Sequence, residues 1–221
     1  MNEYIYTKKF KCPVCEEDFN DAEVRRSKLR TQSIDTDFRT VYKDFEPTYY
    51  DVKQCTHCGY ASMAAYFDKI TERQKEMIRK NITPSQKEST PPYDLETVVS
   101  RYDQALKCVD VISGKTSQKA LTALKLAWVY RADGSNEALE KHYLRMALTG
   151  LKQAYSTENF PLGNMDESTA KYVIADLARR VGDFGEALRW ISDVIVSKGT
   201  AGSLKERAID LKELIQAKQT N

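Results

Sequence analysis

Hydrophobic and polar positions change rhythm twice along this chain of 221 residues. Up to about residue 60 the apolar positions come in short aromatic or β-branched bursts. Tyr4-Ile5-Tyr6, Phe10, Ser27-Lys28-Leu29-Arg30, Phe38-Arg39-Thr40-Val41-Tyr42 and Tyr49-Tyr50-Asp51-Val52 are separated by Asp, Asn and Pro, a texture that predicts strands. From Ala61 the spacing turns helical, with Met63, Tyr66, Phe67, Ile70, Met77 and Ile78 recurring among charges. Asn81 to Pro92, rich in Pro, Ser and Thr, reads as a linker.

Beyond it the chain predicts six helices. Leu95, Val98, Val99, Tyr102, Leu106, Val109 and Ile112 form one stripe, ended by Gly114. Residues 117–132 are apolar on almost every side, as expected of a helix buried between neighbours. Gly134 breaks the pattern before a helix carrying Leu139, Tyr143, Met146, Ala147 and Leu151, and Pro161 with Gly163 breaks it again. Tyr172, Ile174, Ala175, Leu177 and Ala178 mark the next helix. Phe184, Ala187, Leu188, Ile191, Val194 and Ile195 follow Gly182, and Leu204, Ala208, Leu211 and Leu214 mark the last helix. Asp183 and Ser203, each with a Glu three residues on, have the spacing of capping boxes. The expected organisation is a small β-rich module with a following helix over 1–80, a linker over 81–92 and paired antiparallel helices over 93–221. The class is α+β, mostly α.

Composition narrows the chemistry. A formal net charge of +2 points to no polyanionic partner. No stretch approaches the roughly 18 apolar residues of a membrane span, and MNEYIYTKKFKC lacks the apolar run of a secretory signal. The expected location is the cytoplasm, where clustered cysteines are metal ligands or redox groups rather than staples. Cys12-Pro13-Val14-Cys15 and Cys55-Thr56-His57-Cys58 are two Cys-x-x-Cys knuckles. Each turn brings two thiolates onto one ion, and two turns complete a tetrahedron. Four thiolates leave no open position for a water or substrate, so the site is structural, and sulfur ligands select zinc ahead of iron. The 39 residues between the knuckles exceed the roughly 15–20 of the common spacing, so intervening strands must bring the pairs together. His57 lies inside the second knuckle and points away from an ion already held by Cys55 and Cys58.

The rest of the sequence nominates no catalyst. Asp35 and Asp37 have the alternation of a polar strand face, Cys108 sits by an apolar stripe as a small hydrophobe, and His142 reads as a helix-edge residue. Nucleotide-binding and hydrolase motifs are absent. Arg25, Arg26, Lys28 and Arg30 form one basic run that would serve as nucleic-acid contacts in an alternative reading. Charge disfavours it: residues 1–90 carry 16 Lys/Arg against 15 Asp/Glu, and a zinc ion with four thiolates adds negative charge.

Several runs together resemble a bacterial family known as domain of unknown function 2225. They are Ser27 to Arg30, Asp35-Thr36-Asp37-Phe38, Glu46 to Val52 and Cys55 to Ala61. Phe160-Pro161-Leu162, Met165-Asp166-Glu167 and Ala178 to Phe184, continuing through Ala187, Trp190 and Ile195, belong with them. The resemblance implies an N-terminal zinc-ribbon-like part with four cysteine ligands, a tetratricopeptide-like helical part and no assigned activity. Residues 169–195 fit one such repeat when Gly182-Asp183-Phe184 is placed on its turn. Thr169, Tyr172, Val173, Asp176, Arg179 and Arg180 then line a concave face, of which Tyr172, Asp176, Arg179 and Arg180 are the candidate partner-binding residues. The expected protein is a non-enzymatic scaffold for a protein or peptide partner.

Overall fold

A computed structural model describes residues 3–84 and 90–219. The chain is α+β and mostly α, and it divides into two compact units. The first takes the described residues of Met1–Ser33, Val41–Lys115 and Trp128–Ser135; the second takes those of Ile34–Thr40, Thr116–Ala127 and Asn136–Asn221.

In the first unit β1 (Ile5–Lys11) pairs antiparallel with β2 (Asp18–Val24), and β5 (Val52–Gln54) pairs antiparallel with β6 (Ala61–Met63). Between them in sequence, β3 (Thr31–Ile34) pairs with β4 (Thr40–Tyr42). α1 (Glu72–Asn81) begins at Thr71, whose hydroxyl and Gln74 form a reciprocal cap. α2 (Leu95–Val111) begins at Asp94, which accepts the Thr97 N–H at 2.8 Å. The buried face of α2, with Val98, Tyr102 and Ala105, packs against β5 and β6.

A polar network lies within this core. Asp21 accepts hydrogen bonds from the Tyr93 hydroxyl at 2.6 Å and from the Arg101 guanidinium, which also reaches the Val52 carbonyl at 2.8 Å. All three side chains are buried, and the guanidinium lies 4.8 Å from the Tyr93 ring centroid. A buried ion pair of this kind is tolerated only because each charge is matched at close range.

The second unit contains α4 (Glu137–Thr157), α5 (Glu167–Val181), α6 (Phe184–Val196) and α7 (Gly202–Gln219), with consecutive members packed on one another. α3 (Thr116–Asp133) contributes its first two turns and more. Gly150 of α4 lets that helix approach α3 closely: a Cβ there would lie 2.8 Å from the Ala120 Cβ. Gly134 and Gly182 end their helices at φ +73 and +94°, in the left-handed conformation that favours glycine.

Six helices after residue 92 match the expected number among the described residues. Other elements differ. The helix expected from Ala61 begins only at Glu72, because Ala61–Met63 returns along β5 as a strand and Thr71 supplies the cap. Arg26–Lys28 and Pro47–Tyr50 are 3-10 turns rather than strands; in the latter, Pro47 presets the first position and Glu46 caps the Thr48 N–H. Ser203 lies inside α7 and is not its cap. The compact units also divide elsewhere than at a linker over 81–92. Asn81 still belongs to α1, Ile82 is buried, residues 85–89 lie outside the described residues, and α2 belongs with the strands it covers.

Replacing Asp21 by Ala leaves the Arg101 charge and the Tyr93 hydroxyl without their partner. We expect a loss of about 3–5 kcal/mol of stability, read as a lowered midpoint in urea denaturation followed by circular dichroism. A midpoint equal to wild type would show the network to be dispensable.

Candidate functional site

Each Cys-x-x-Cys knuckle occupies the turn of one hairpin, Cys12–Cys15 between β1 and β2 and Cys55–Cys58 between β5 and β6. The two turns are built alike. The Cys12 N–H donates to the Glu17 carbonyl at 3.0 Å and the Glu16 N–H returns to the Cys12 carbonyl at 2.9 Å. The Cys55 N–H donates to the Tyr60 carbonyl at 2.8 Å and the Gly59 N–H returns to the Cys55 carbonyl at 3.1 Å. The residue after each second cysteine is left-handed, Glu16 at φ +65° and Gly59 at φ +75°. At the second knuckle glycine is also required for space, since a Cβ on Gly59 would meet the Thr83 carbonyl oxygen at 2.6 Å.

The four Sγ atoms lie within 4.8 Å of one another and can hold a metal ion. Sγ separations of 3.6 Å for Cys12–Cys58 and 3.7 Å for Cys15–Cys55 fit a tetrahedron. Metal–sulfur bonds of about 2.3 Å give edges of about 3.8 Å. Cys12 and Cys55 are fully buried, Cys15 and Cys58 half-buried. The thiols compete for hydrogen bonds with one another: those from Cys12 and Cys58 hold Cys55 well below the ordinary thiol range, while the contact with Cys55 pushes Cys12 up and the contacts with Cys12 and Cys55 push Cys58 up. A divalent cation removes this conflict, because it favours the thiolate at all four positions. His57 is not among the converging ligands; its Nε2 lies 3.0 Å from the Asp18 carbonyl oxygen. Beside it opens a polar cavity of about 320 Å³ that also reaches Asp21, Tyr93 and Arg101.

The basic run stays at the surface of the first unit. The Arg25 guanidinium lies 4.7 Å from the Tyr6 ring centroid, Lys28 is 3.6 Å from Glu3, and Arg26 and Arg30 are exposed. Cys108 is buried, accepts the Ala61 N–H at 3.4 Å, and is pushed up to about 11 by burial. His142 is exposed on α4, edge-on to Tyr143, and faces an open groove of about 390 Å³ with Lys119 and Arg145. No described helix is long and apolar enough to cross a membrane.

On α5 the candidate groove residues meet the chain's own residues 34–40. Asp176 is fully buried and is matched on its own helix by Arg179 Nε at 2.7 Å and Arg180 Nε at 2.9 Å. Thr36 donates its hydroxyl to Asp176 at 2.7 Å and accepts from Arg180 at 2.9 Å and Arg179 at 3.2 Å. Asp37 lies 3.5 Å from Arg180 Nε. The Phe38 ring packs on Tyr172 with centroids 5.1 Å apart, and the Arg207 guanidinium of α7 covers it at 5.0 Å. Asp35 and Asp37, expected on a polar strand face, instead flank this turn, with Asp37 buried and Asp35 3.6 Å from Arg39. Thr36, Phe38 and Arg207 were not among the expected site residues. The signal for Thr36 and Phe38 was the Asp-Thr-Asp-Phe run, whose destination no local pattern reveals, and Arg207 of α7 carried no signal of its own.

A family model described as "Uncharacterized protein conserved in bacteria (DUF2225)" matches residues 5–215, and the chain belongs to that family. No curated protein and no solved structure matches the chain.

Burial opposes ionisation of Asp176, but the Arg180 and Arg179 guanidiniums outweigh it and hold the carboxyl below the ordinary range. Its stabilising contribution is therefore full above the unfolded aspartate value of about 3.9 and is lost as pH falls through the lower folded value. Asp176→Asn should cost about 3–5 kcal/mol at neutral pH, as for a broken buried pair. It should also flatten the decline of the urea midpoint below about pH 4. An unaltered acid limb in the variant would contradict the assignment.

Proposed function

We propose that this member of the uncharacterised bacterial family is a non-enzymatic, intracellular interaction protein. A structural zinc ion on Cys12, Cys15, Cys55 and Cys58 stabilises its first unit, and α5 and its neighbours present a recognition face for a protein or peptide. One observation carries the reading: the polar face of α5 already holds a short segment of polypeptide through a hydroxyl, a carboxylate and an aromatic ring. The stacking of α4 to α7 supports it, since helices packed in sequence form the curved surfaces on which repeat proteins bind segments.

Two features favour architecture over chemistry at the sulfur site. Four thiolates close the coordination sphere of zinc, leaving no position for an activated water. The ligands also sit at hairpin turns, and hairpins of this size need a further constraint to be stable in water. Zinc is preferred to iron because it binds four thiolates tetrahedrally without redox activity. Nucleic-acid binding through Arg25, Arg26, Lys28 and Arg30 is the weaker reading. Lys28 already faces Glu3, Arg25 is stacked on Tyr6, and the surrounding charge is balanced.

Elemental analysis of the purified chain should find about one zinc per molecule. Chelation or Cys55→Ser should abolish the metal and unfold the first unit, read by circular dichroism and proteolysis. Full structure after metal removal would overturn the folding role. For the interaction, a photoreactive amino acid at Arg180 should crosslink a discrete partner in the native bacterial host. A crosslinking and pull-down survey yielding nothing above background would overturn the scaffold reading.

A further inference from the structure

Two of the buried carboxylates, Asp21 and Asp176, are held in physically different ways. Asp21 takes its cation from 80 residues away, so separating the two would leave a charge stranded in the core. Asp176 takes both of its cations from its own helix, three and four residues on. Its charge remains matched whether or not residues 34–40 are present. The α5 face is therefore a preformed site, and what the segment adds is separable from the helix: one hydroxyl, one carboxylate and one ring.

Each of those groups meets a complementary one. The Thr36 hydroxyl completes a node between Asp176, Arg179 and Arg180. Asp37 faces Arg180, and Phe38 lies between the Tyr172 ring and the Arg207 guanidinium. These contacts read a hydroxyl, an acid and an aromatic at three consecutive positions. The segment is a turn closed by the Asp35 N–H to the Arg39 carbonyl at 2.8 Å and the Phe38 N–H to the Asp35 carbonyl at 3.1 Å. Thr36 and Phe38 are half-buried while Asp37 and Arg39 between and beside them are buried, and Phe38 sits at φ +64°, a backbone conformation that a side chain disfavours.

We infer that this α5 face recognises a short motif of Ser/Thr, Asp/Glu and Phe/Tyr in consecutive positions. The chain's own Thr36-Asp37-Phe38 occupies it in cis, and a partner protein bearing the same motif displaces that segment. The inference rests on the interaction reading above and names its ligand. A tethered segment acts at an effective concentration on the order of millimolar, so the intact protein discriminates against weak or partial motifs. The cis occupant lowers the apparent affinity of any competitor by the fraction of time the face is open.

The probe is a fluorescent nine-residue peptide of this chain's own sequence, Ser33 to Val41. It is titrated by anisotropy against the full-length wild type and against a Thr36→Ala/Phe38→Gly variant. Glycine tolerates the φ at residue 38, so the turn is kept while two of its three ligand groups, the hydroxyl and the ring, are removed and Asp37 is left in place. The variant should bind at least about tenfold more tightly than wild type, as expected for relief of a cis competitor. A peptide with Ala in place of Thr36 and Phe38 should not bind. Equal or absent binding by both proteins would overturn the inference, as would loss of helical circular dichroism in the variant, which would make the segment part of the core. In the wild type, saturating peptide should accelerate hydrogen exchange at the Asp35 and Phe38 amides, and unchanged exchange there would count against displacement. A partner crosslinked in the host with no peptide binding here would refute this inference and leave the broader reading standing.

Discussion

Two-stranded hairpins are marginal in water, and in the first unit two of them meet through four cysteine sulfurs within 4.8 Å. The rest of that unit is arranged around the meeting. Arg79 of α1 donates to the Val14 carbonyl at the first knuckle, at 3.0 Å from Nε. Gln104 of α2 donates to the Gly59 carbonyl at the second, at 2.9 Å. Tyr60, the residue after Gly59, is buried and sends its hydroxyl to the Phe67 carbonyl at 3.1 Å. Both helices thus secure backbone groups of turns whose own hydrogen bonds are too few to hold them.

The site and the fold were legible in the sequence to different degrees. The four converging cysteines declared themselves because their spacing is local: two cysteines with two residues between them need only a turn. The helices after residue 92 were legible because period and punctuation agree, with Gly134 and Gly182 standing where the chain turns left-handed. β2 was not, because Asp18-Phe19-Asn20-Asp21-Ala22-Glu23-Val24 carries four acidic or amide side chains and owes its place to pairing with β1. Ala61–Met63 misled for the opposite reason. Its small and apolar residues suit a helix, and the hairpin closing the second knuckle decides otherwise.

The buried carboxylates show the same limit at the level of single residues. Asp176, Arg179 and Arg180 could be grouped from sequence because one helix turn joins them. Asp21, Tyr93 and Arg101 could not, since 72 and 80 residues separate Asp21 from its partners. Thr36 is farther still from Asp176, at 140 residues. Long-range partnerships are set by topology, and topology is what local periodicity leaves open.

The distance along the chain between the two knuckles has a consequence in time. Cys15 and Cys58 are separated by 43 positions, the difference of their residue numbers. At a synthesis rate of roughly 5–20 residues per second, the first knuckle waits about 2–9 s for its counterpart on each nascent chain. During that interval Cys12 and Cys15 are a bare dithiol, open to oxidation or to metals that two sulfurs bind. Every molecule therefore passes through a stage at which the chemistry of the surrounding compartment, and not the finished fold, decides the fate of half the site.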